Sequence, residues 1–200
     1  GAGPGETAGR VEARNIRRLT AAGIASMGLV AYGEDLRPDG RLESFVLTEE
    51  LHGYEPLDDF LIRRFPAIRS ARTTARDHDL DQLIRVVAAV ARRLHRAGYN
   101  HRDLYACHFF VREPVKGQFA VRLIDLQRVE HRRRFRRRWL VKDLAQLAYS
   151  APRQRITRTQ RMAFLRYYLG VGRLRPGDKR LVRAVLAKQR RIERREGLAG

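Results

Sequence analysis

Between Asp79 and Ala97 the apolar residues Leu80, Leu83, Ile84, Val87, Val90, Ala91 and Leu94 recur at helical spacing. Asp77, Asp79 and Asp81 favour the amino end of such a helix and Gly98 its carboxyl end, so this is the best-marked element in the chain. Val11, Ile16 and Leu19 sit among charged residues ahead of Gly23, which predicts a short amphipathic helix over Val11 to Ala22 with a glycine cap. Met27 to Tyr32 and Ser44 to Thr48 are short apolar runs separated by Arg37-Pro38-Asp39-Gly40, the pattern of a hairpin. The chain then leaves the strand through Thr48-Glu49-Glu50-Leu51-His52-Gly53, with no further strand evident. A second strand pair, His108 to Val111 and Phe119 to Leu126, flanks Glu113-Pro114-Val115-Lys116-Gly117. Helices are predicted over Lys142 to Ser150, Thr157 to Leu169 and Gly177 to Glu196, the last entered through Pro176. There is no internal repeat, and low complexity is confined to the glycine-rich amino end and the arginine-rich run from Arg132 to Arg138.

Composition narrows the class. With 200 residues, 44% hydrophobic and 32% charged, the chain has the balance of a globular protein, either one domain or two small lobes sharing a cleft. No run reaches the roughly 18 apolar residues of a spanning helix. The first ten residues carry neither the apolar stretch of a signal peptide nor an initiator Met, so a chain cut from something longer is expected. The single cysteine, Cys107, rules out an intrachain disulfide and leaves a cytoplasmic location as the expectation. A net charge of +20 implies attraction to a polyanion: nucleic acid, an anionic membrane surface or a phosphorylated glycolipid. Charge alone does not choose among them.

The choice comes from ordered motifs. Phosphoryl transfer to a hydroxyl needs a carboxylate to orient and accept the proton, and oxygen ligands to hold magnesium against the nucleotide phosphates. His101-Arg102-Asp103 followed five residues later by His108 has the form of a kinase catalytic loop, with His where Asn is usual. It stands between the long helix and the second strand pair, and that pair leads into Leu123-Ile124-Asp125-Leu126-Gln127, where Asp125 takes the place of the metal-binding Asp. The plainer alternatives are a surface carboxylate for Asp103 and a turn-capping one for Asp125. His108 reads equally as a packed histidine or as a polar, metal-contacting one. His101 and Arg102 read as scaffold, and Asp143 either as an acceptor for the loop backbone or as a helix cap.

The segments Asn100 to Phe110, Ile124 to Arg128 and Arg138 to Leu147 resemble the lipopolysaccharide core kinase family, which includes the heptose and Kdo kinases of the Gram-negative inner core. Glu12 to Leu19, Gly23-Ile24 and Ala31-Tyr32-Gly33 extend the likeness upstream, so it covers roughly Val11 to Tyr168. The resemblance implies an α+β, protein-kinase-like fold, with a partial amino-terminal lobe over residues 1–52 and a mostly helical lobe over 53–200 carrying the catalytic loop. It implies transfer of the γ-phosphate of ATP, with Mg2+, to a sugar hydroxyl at the inner face of the inner membrane. On that basis Asp103 is the catalytic base, Asp125 and His108 face the metal, and Glu12, Glu49 and Leu51 serve the nucleotide. Arg128, Arg132 and Arg134 could bind core phosphates through guanidinium forks, or the run could be a solvated basic stretch. No Lys precedes Lys116, so the lysine that should pair with Glu12 is missing, and Gly1 to Gly5 read as a flexible tail. Two rivals stay open: a degenerate kinase-like module gripping an anionic glycolipid, and a nucleic-acid-associated kinase. Lipopolysaccharide core is the expected partner, and nucleic acid is not.

Overall fold

The computed structural model describes residues 6–65, 67, 74–132 and 136–197. The glycine-rich start and Arg134 therefore lie outside the described residues. Helix α1 spans Ala8–Ala21, beginning three residues ahead of its apolar stripe because the Thr7 side chain accepts from Arg10 N at 3.1 Å and caps it. It buries Val11, Ile16 and Leu19. Strands β1 (Leu29–Leu36) and β2 (Leu42–Thr48) form the expected antiparallel hairpin, and α1 packs against both. Gly40, at φ 82°, makes the turn that an L side chain would strain. Val30, Phe45 and Leu47 remain exposed on this hairpin. Its base is tied to the rest of the molecule where Met27 N donates to Leu123 O and Leu123 N to Ala25 O, at 3.1 and 3.0 Å.

The next two elements were not visible in the sequence. Strand β3 (Glu55–Pro56) joins a three-stranded sheet of order β3-β5-β6, completed by β5 (Phe109–Val115) and β6 (Gln118–Leu123). Helix α2 (Leu57–Arg64) is two turns long, too short for a clear period. Its charges suit the helix dipole, with Asp58 and Asp59 in the first turn and Arg63 and Arg64 in the last. The long helix α3 (Thr74–Arg96) starts five residues ahead of Asp79 and runs the length of the core. It leads through β4 (Tyr99–Asn100) into the catalytic loop, and β4 pairs with β7 (Glu130–His131).

Two boundaries correct the sequence reading. β6 ends at Leu123 rather than Leu126, because Asp125 has φ 55° and a left-handed residue cannot continue the pleat. Helix α4 (Arg136–Ser150) begins six residues before Lys142, its first three residues being arginines that carry no apolar period. Helices α5 (Arg158–Leu169) and α6 (Pro176–Arg195) follow, α5 entered through a Thr157–Gln160 capping box and closed by Gly170 at φ 71°.

One continuous core unites α1, α2, α3, the three-stranded sheet and α4. Phe60 of α2 sits in it, 1% exposed, edge-on to Phe65 and Phe119 with ring centroids 6.4 and 5.9 Å apart. Phe60→Ala is expected to cost about 3–5 kcal/mol in urea denaturation. A loss under about 1 kcal/mol would mean that α2 does not anchor the core as described.

Candidate active site

The catalytic loop is held from below by one carboxylate. Asp143 of α4 is fully buried. Its Oδ2 accepts from His101 N at 2.8 Å and its Oδ1 from Arg102 N at 2.9 Å. His95 Nε2 contacts Oδ2 at 3.1 Å, while His95 Nδ1 lies 2.8 Å from the Tyr168 hydroxyl. Burial pushes the Tyr168 phenol far up, so it keeps its proton and donates to His95 Nδ1. The Asp143 carboxylate can only accept, so His95 Nε2–H donates to it. A chain from α5 through α3 to α4 thus ends on two backbone N–H groups of the loop. Arg102, at φ 72°, is bent into the left-handed region there.

His101 links the loop to the other half of the site. Its Nε2 donates to Ile124 O at 3.0 Å, one residue before Asp125. Burial lowers its pKa against the opposing pull of Asp143, so the ring is neutral. His108 stacks on it with centroids 5.7 Å apart. His108 Nδ1 donates to Asp103 O at 2.7 Å, which leaves Nε2 facing Asp125 Oδ2 at 3.5 Å. A cation between the two satisfies both, and a backbone-anchored second nitrogen is the usual arrangement of a metal-binding histidine. Among the described residues no group of three His, Cys, Asp or Glu could hold a metal ion. A metal held by this pair would need its remaining ligands from phosphate and water.

Asp103 is surrounded by donors. Arg128 Nη1 reaches its Oδ2 at 2.6 Å, Gln146 Nε2 its Oδ1 at 3.3 Å, and Lys142 Nζ lies 3.7 Å from Oδ1. Lys142 also donates to the Arg102 carbonyl, and burial outweighs the pull of Asp103 to lower its pKa. Glu12 on α1 accepts from Leu126 N at 3.3 Å. Burial raises its pKa, and the nearby Asp125 adds to this against the backbone donor. Asn15, one turn on, donates to Leu126 O and Val129 O at 2.7 and 3.0 Å.

Of the arginines, Arg128 lies on Asp103 itself. Arg132 pairs with Glu130 and stacks on Trp139 at 4.8 Å. Arg102 does the same from the loop, at 4.9 Å from the indole centroid. Glu49 follows β2, where its backbone N–H donates to Gly28 O at 2.9 Å. Leu51 is half-buried beyond it, and among the described residues no hydrogen bond or ion pair joins Glu49 or Leu51 to Asp103 or Asp125.

The sequence reading missed Asn15, His95, Lys142, Gln146 and Tyr168. A signal for part of this set was present. Trp139, Lys142, Asp143, Gln146 and Ser150 fall at helical spacing, and that face of α4 meets the loop, with Ser150 Oγ accepting from Ala106 N at 2.7 Å.

The same assembly of loop, strand pair and helix is found in known proteins. The model of the lipopolysaccharide kinase (Kdo/WaaP) family matches residues 4–168. The chain belongs to that family. The lipopolysaccharide core heptose(I) kinase WaaP of Pseudomonas aeruginosa is 40% identical over 165 residues, covering 80% of this chain and 58% of that protein. WaaP of Escherichia coli K12 is 34% identical over 163 residues, covering 78% and 58%. The chain thus spans about 58% of the length of these curated relatives. A solved structure of WaaP in complex with acyl carrier protein is 36% identical, with a TM-score of 0.72 over 96% of this chain and 77% of that one. The fold of this lipopolysaccharide kinase family member is accordingly α+β and kinase-like.

Neutral burial of His101 sets a pH dependence. The folded state resists a proton that the unfolded chain accepts near pH 6.5, so stability is fully present above that value and declines as the pH falls below it. His101→Gln should flatten this slope between pH 7.5 and 5 in urea midpoints. Parallel slopes for the two proteins would assign the titration elsewhere.

Proposed function

We propose that this chain carries the catalytic centre of an ATP-dependent kinase that phosphorylates a heptose hydroxyl of the lipopolysaccharide inner core. The observation that supports it most is the way His108 bridges Asp103 and Asp125, donating to the carbonyl of one and facing the carboxylate of the other. Asp103 accepts the proton of the sugar hydroxyl as its oxygen bonds to the γ-phosphorus of ATP and the bond from that phosphorus to the bridging oxygen breaks, releasing ADP. Arg128, half-exposed and resting on that carboxylate, swings aside or reorients as the acceptor arrives. Asp125 and His108 would hold magnesium, which would supply neutralisation of charge on the transferring phosphate oxygens. Glu12 and the segment through Glu49 and Leu51 serve the nucleotide side. Residues 1–52 then belong to the nucleotide-binding lobe and 53–200 to the catalytic one. Arg128 and Arg132 meet the anionic acceptor.

No helix among the described residues is long and apolar enough to cross a membrane. Contact with the inner face of the inner membrane is therefore proposed as peripheral, through the basic surface.

The protein containing this chain is expected to consume ATP with core lipopolysaccharide, and Asp103→Asn and Asp125→Asn should each lower kcat by about 10²–10⁴. His108→Asn, which restores an oxygen donor, should keep turnover and change the magnesium dependence, whereas His108→Leu should not. Undiminished turnover in Asp103→Asn would remove the assignment.

An acyl carrier protein is proposed as a partner, because the solved relative is in complex with one. A cavity of about 120 Å³ among α3, α4, α5 and α6, lined by Leu83, Leu147, Phe164, Val185 and Leu186, has the apolar character an acyl chain requires. Acylated carrier should raise the melting temperature more than the unacylated form, and Leu186→Trp at the rim should abolish the difference. Equal shifts for both forms would place the contact outside the cavity.

A further inference from the structure

Helix α6 packs along α4, and the two enclose an open cleft of about 850 Å³ beside the catalytic loop. Arg128 and Lys142, the two cations that reach Asp103, line its inner part. Arg137 and Arg138 line it from the start of α4, and Lys188 and Arg191 from α6. Asp103 takes Arg128 and Lys142, and Glu130 takes Arg102. Among the described residues, Arg137, Arg138, Lys188 and Arg191 have no carboxylate partner. Like charges crowded this way repel one another, and the arrangement becomes favourable when a multivalent anion enters.

The remaining lining tells what kind of anion fits. Trp139 forms part of the wall and has Arg102, Arg132, Arg138 and Lys142 within 4.8 to 5.9 Å of its ring centroid. Opposite, Ala184 and Ala187 keep the α6 side shallow. The cleft is far larger than one phosphate group requires, and it combines an aromatic surface, small side chains and guanidinium forks. Because Arg128 and Lys142 both line the cleft and reach Asp103, its occupant lies beside the group that donates the hydroxyl.

We propose that the α4–α6 cleft is a subsite that reads phosphate or carboxylate groups on saccharide units next to the phosphorylated sugar, with Lys188 and Arg191 as specificity-determining residues. This rests on the kinase reading above. It goes beyond it, since α6 lies outside the residues 4–168 that the family model matches. An acceptor lacking those anionic groups is then a poor substrate even when its hydroxyl is intact.

Trp139 is the chain's single tryptophan, so its emission reports on the cleft directly. The purified protein is titrated without ATP, using deacylated lipopolysaccharide core oligosaccharide with and without its phosphates. A saturable change is expected for the phosphorylated form, weaker by at least about tenfold for the dephosphorylated one. The double variant Lys188→Glu/Arg191→Glu should lose a similar factor, whereas Arg190→Glu, exposed and outside the cleft, should bind as the parent does. In turnover assays the same double variant should raise KM for the acceptor and leave KM for ATP in place. Equal binding of both oligosaccharides, parent-like binding by the double variant, or tighter binding of an RNA oligonucleotide at the same salt overturns the subsite. Binding that behaves as expected in a protein without kinase turnover would instead retire the kinase reading and leave the subsite standing. Turnover with an unresponsive tryptophan titration would do the reverse.

Discussion

The buried carboxylate of Asp143 is the constraint on which the active centre depends. An unpaired charge there would be strongly unfavourable, and it is stabilised by the backbone N–H groups of His101 and Arg102 together with the His95 ring. The two backbone donors belong to the loop that carries Asp103. The loop cannot relax without leaving the carboxylate bare, so the cost of burying one charge becomes the rigidity of the catalytic segment. Arg102 holds its left-handed backbone for the same reason, since its N–H must point at Asp143.

From that anchor, order spreads in two directions. His101 carries it upward to Ile124 and hence to Asp125, while Asn15 and Glu12 fasten the residues after Asp125 to α1. The two carboxylates of the centre are thus positioned from opposite sides by hydrogen bonds from separate elements. Among the described cations of the arginine-rich segment, Arg136 joins this scaffold by donating to His95 O at 2.6 Å, Arg128 touches the Asp103 carboxylate, and Arg132 and Arg138 gather around Trp139. Apart from Arg136, scaffold and charge are therefore separable: one is set by buried hydrogen bonds, the other by an exposed basic surface that salt would screen.

The sequence was most legible where function and periodicity coincide. The stripe of α3, the hairpin around Arg37 to Gly40, the catalytic loop and Asp125 could all be read because each needs particular residue types at fixed spacing. Helix α2 was hidden because eight residues hold barely two turns, and its partners Phe65 and Phe119 are distant in the chain or follow a break. The start of α4 was hidden because arginines carry no apolar period. The end of β6 was missed because nothing in Leu-Ile-Asp-Leu announces a left-handed aspartate.

By itself, then, the sequence marked α1, the first hairpin, α3, the second strand pair and the carboxyl-terminal helices, and it singled out His-Arg-Asp, His108 and Asp125 as candidate reactive groups, since these are chemical types at local spacing. The roles of Asn15, His95, Lys142, Gln146 and Tyr168 were decided only by the tertiary structure. Each acts through a partner far along the chain, at separations such as 73 residues from His95 to Tyr168 and 111 from Asn15 to Leu126. A buried polar residue must find a hydrogen-bond partner, but which one it finds depends on where packing delivers it. The cleft between α4 and α6 is of the same kind: its arginines and lysines are plain in the sequence, and only the docking of two helices turns them into a surface that faces one ligand.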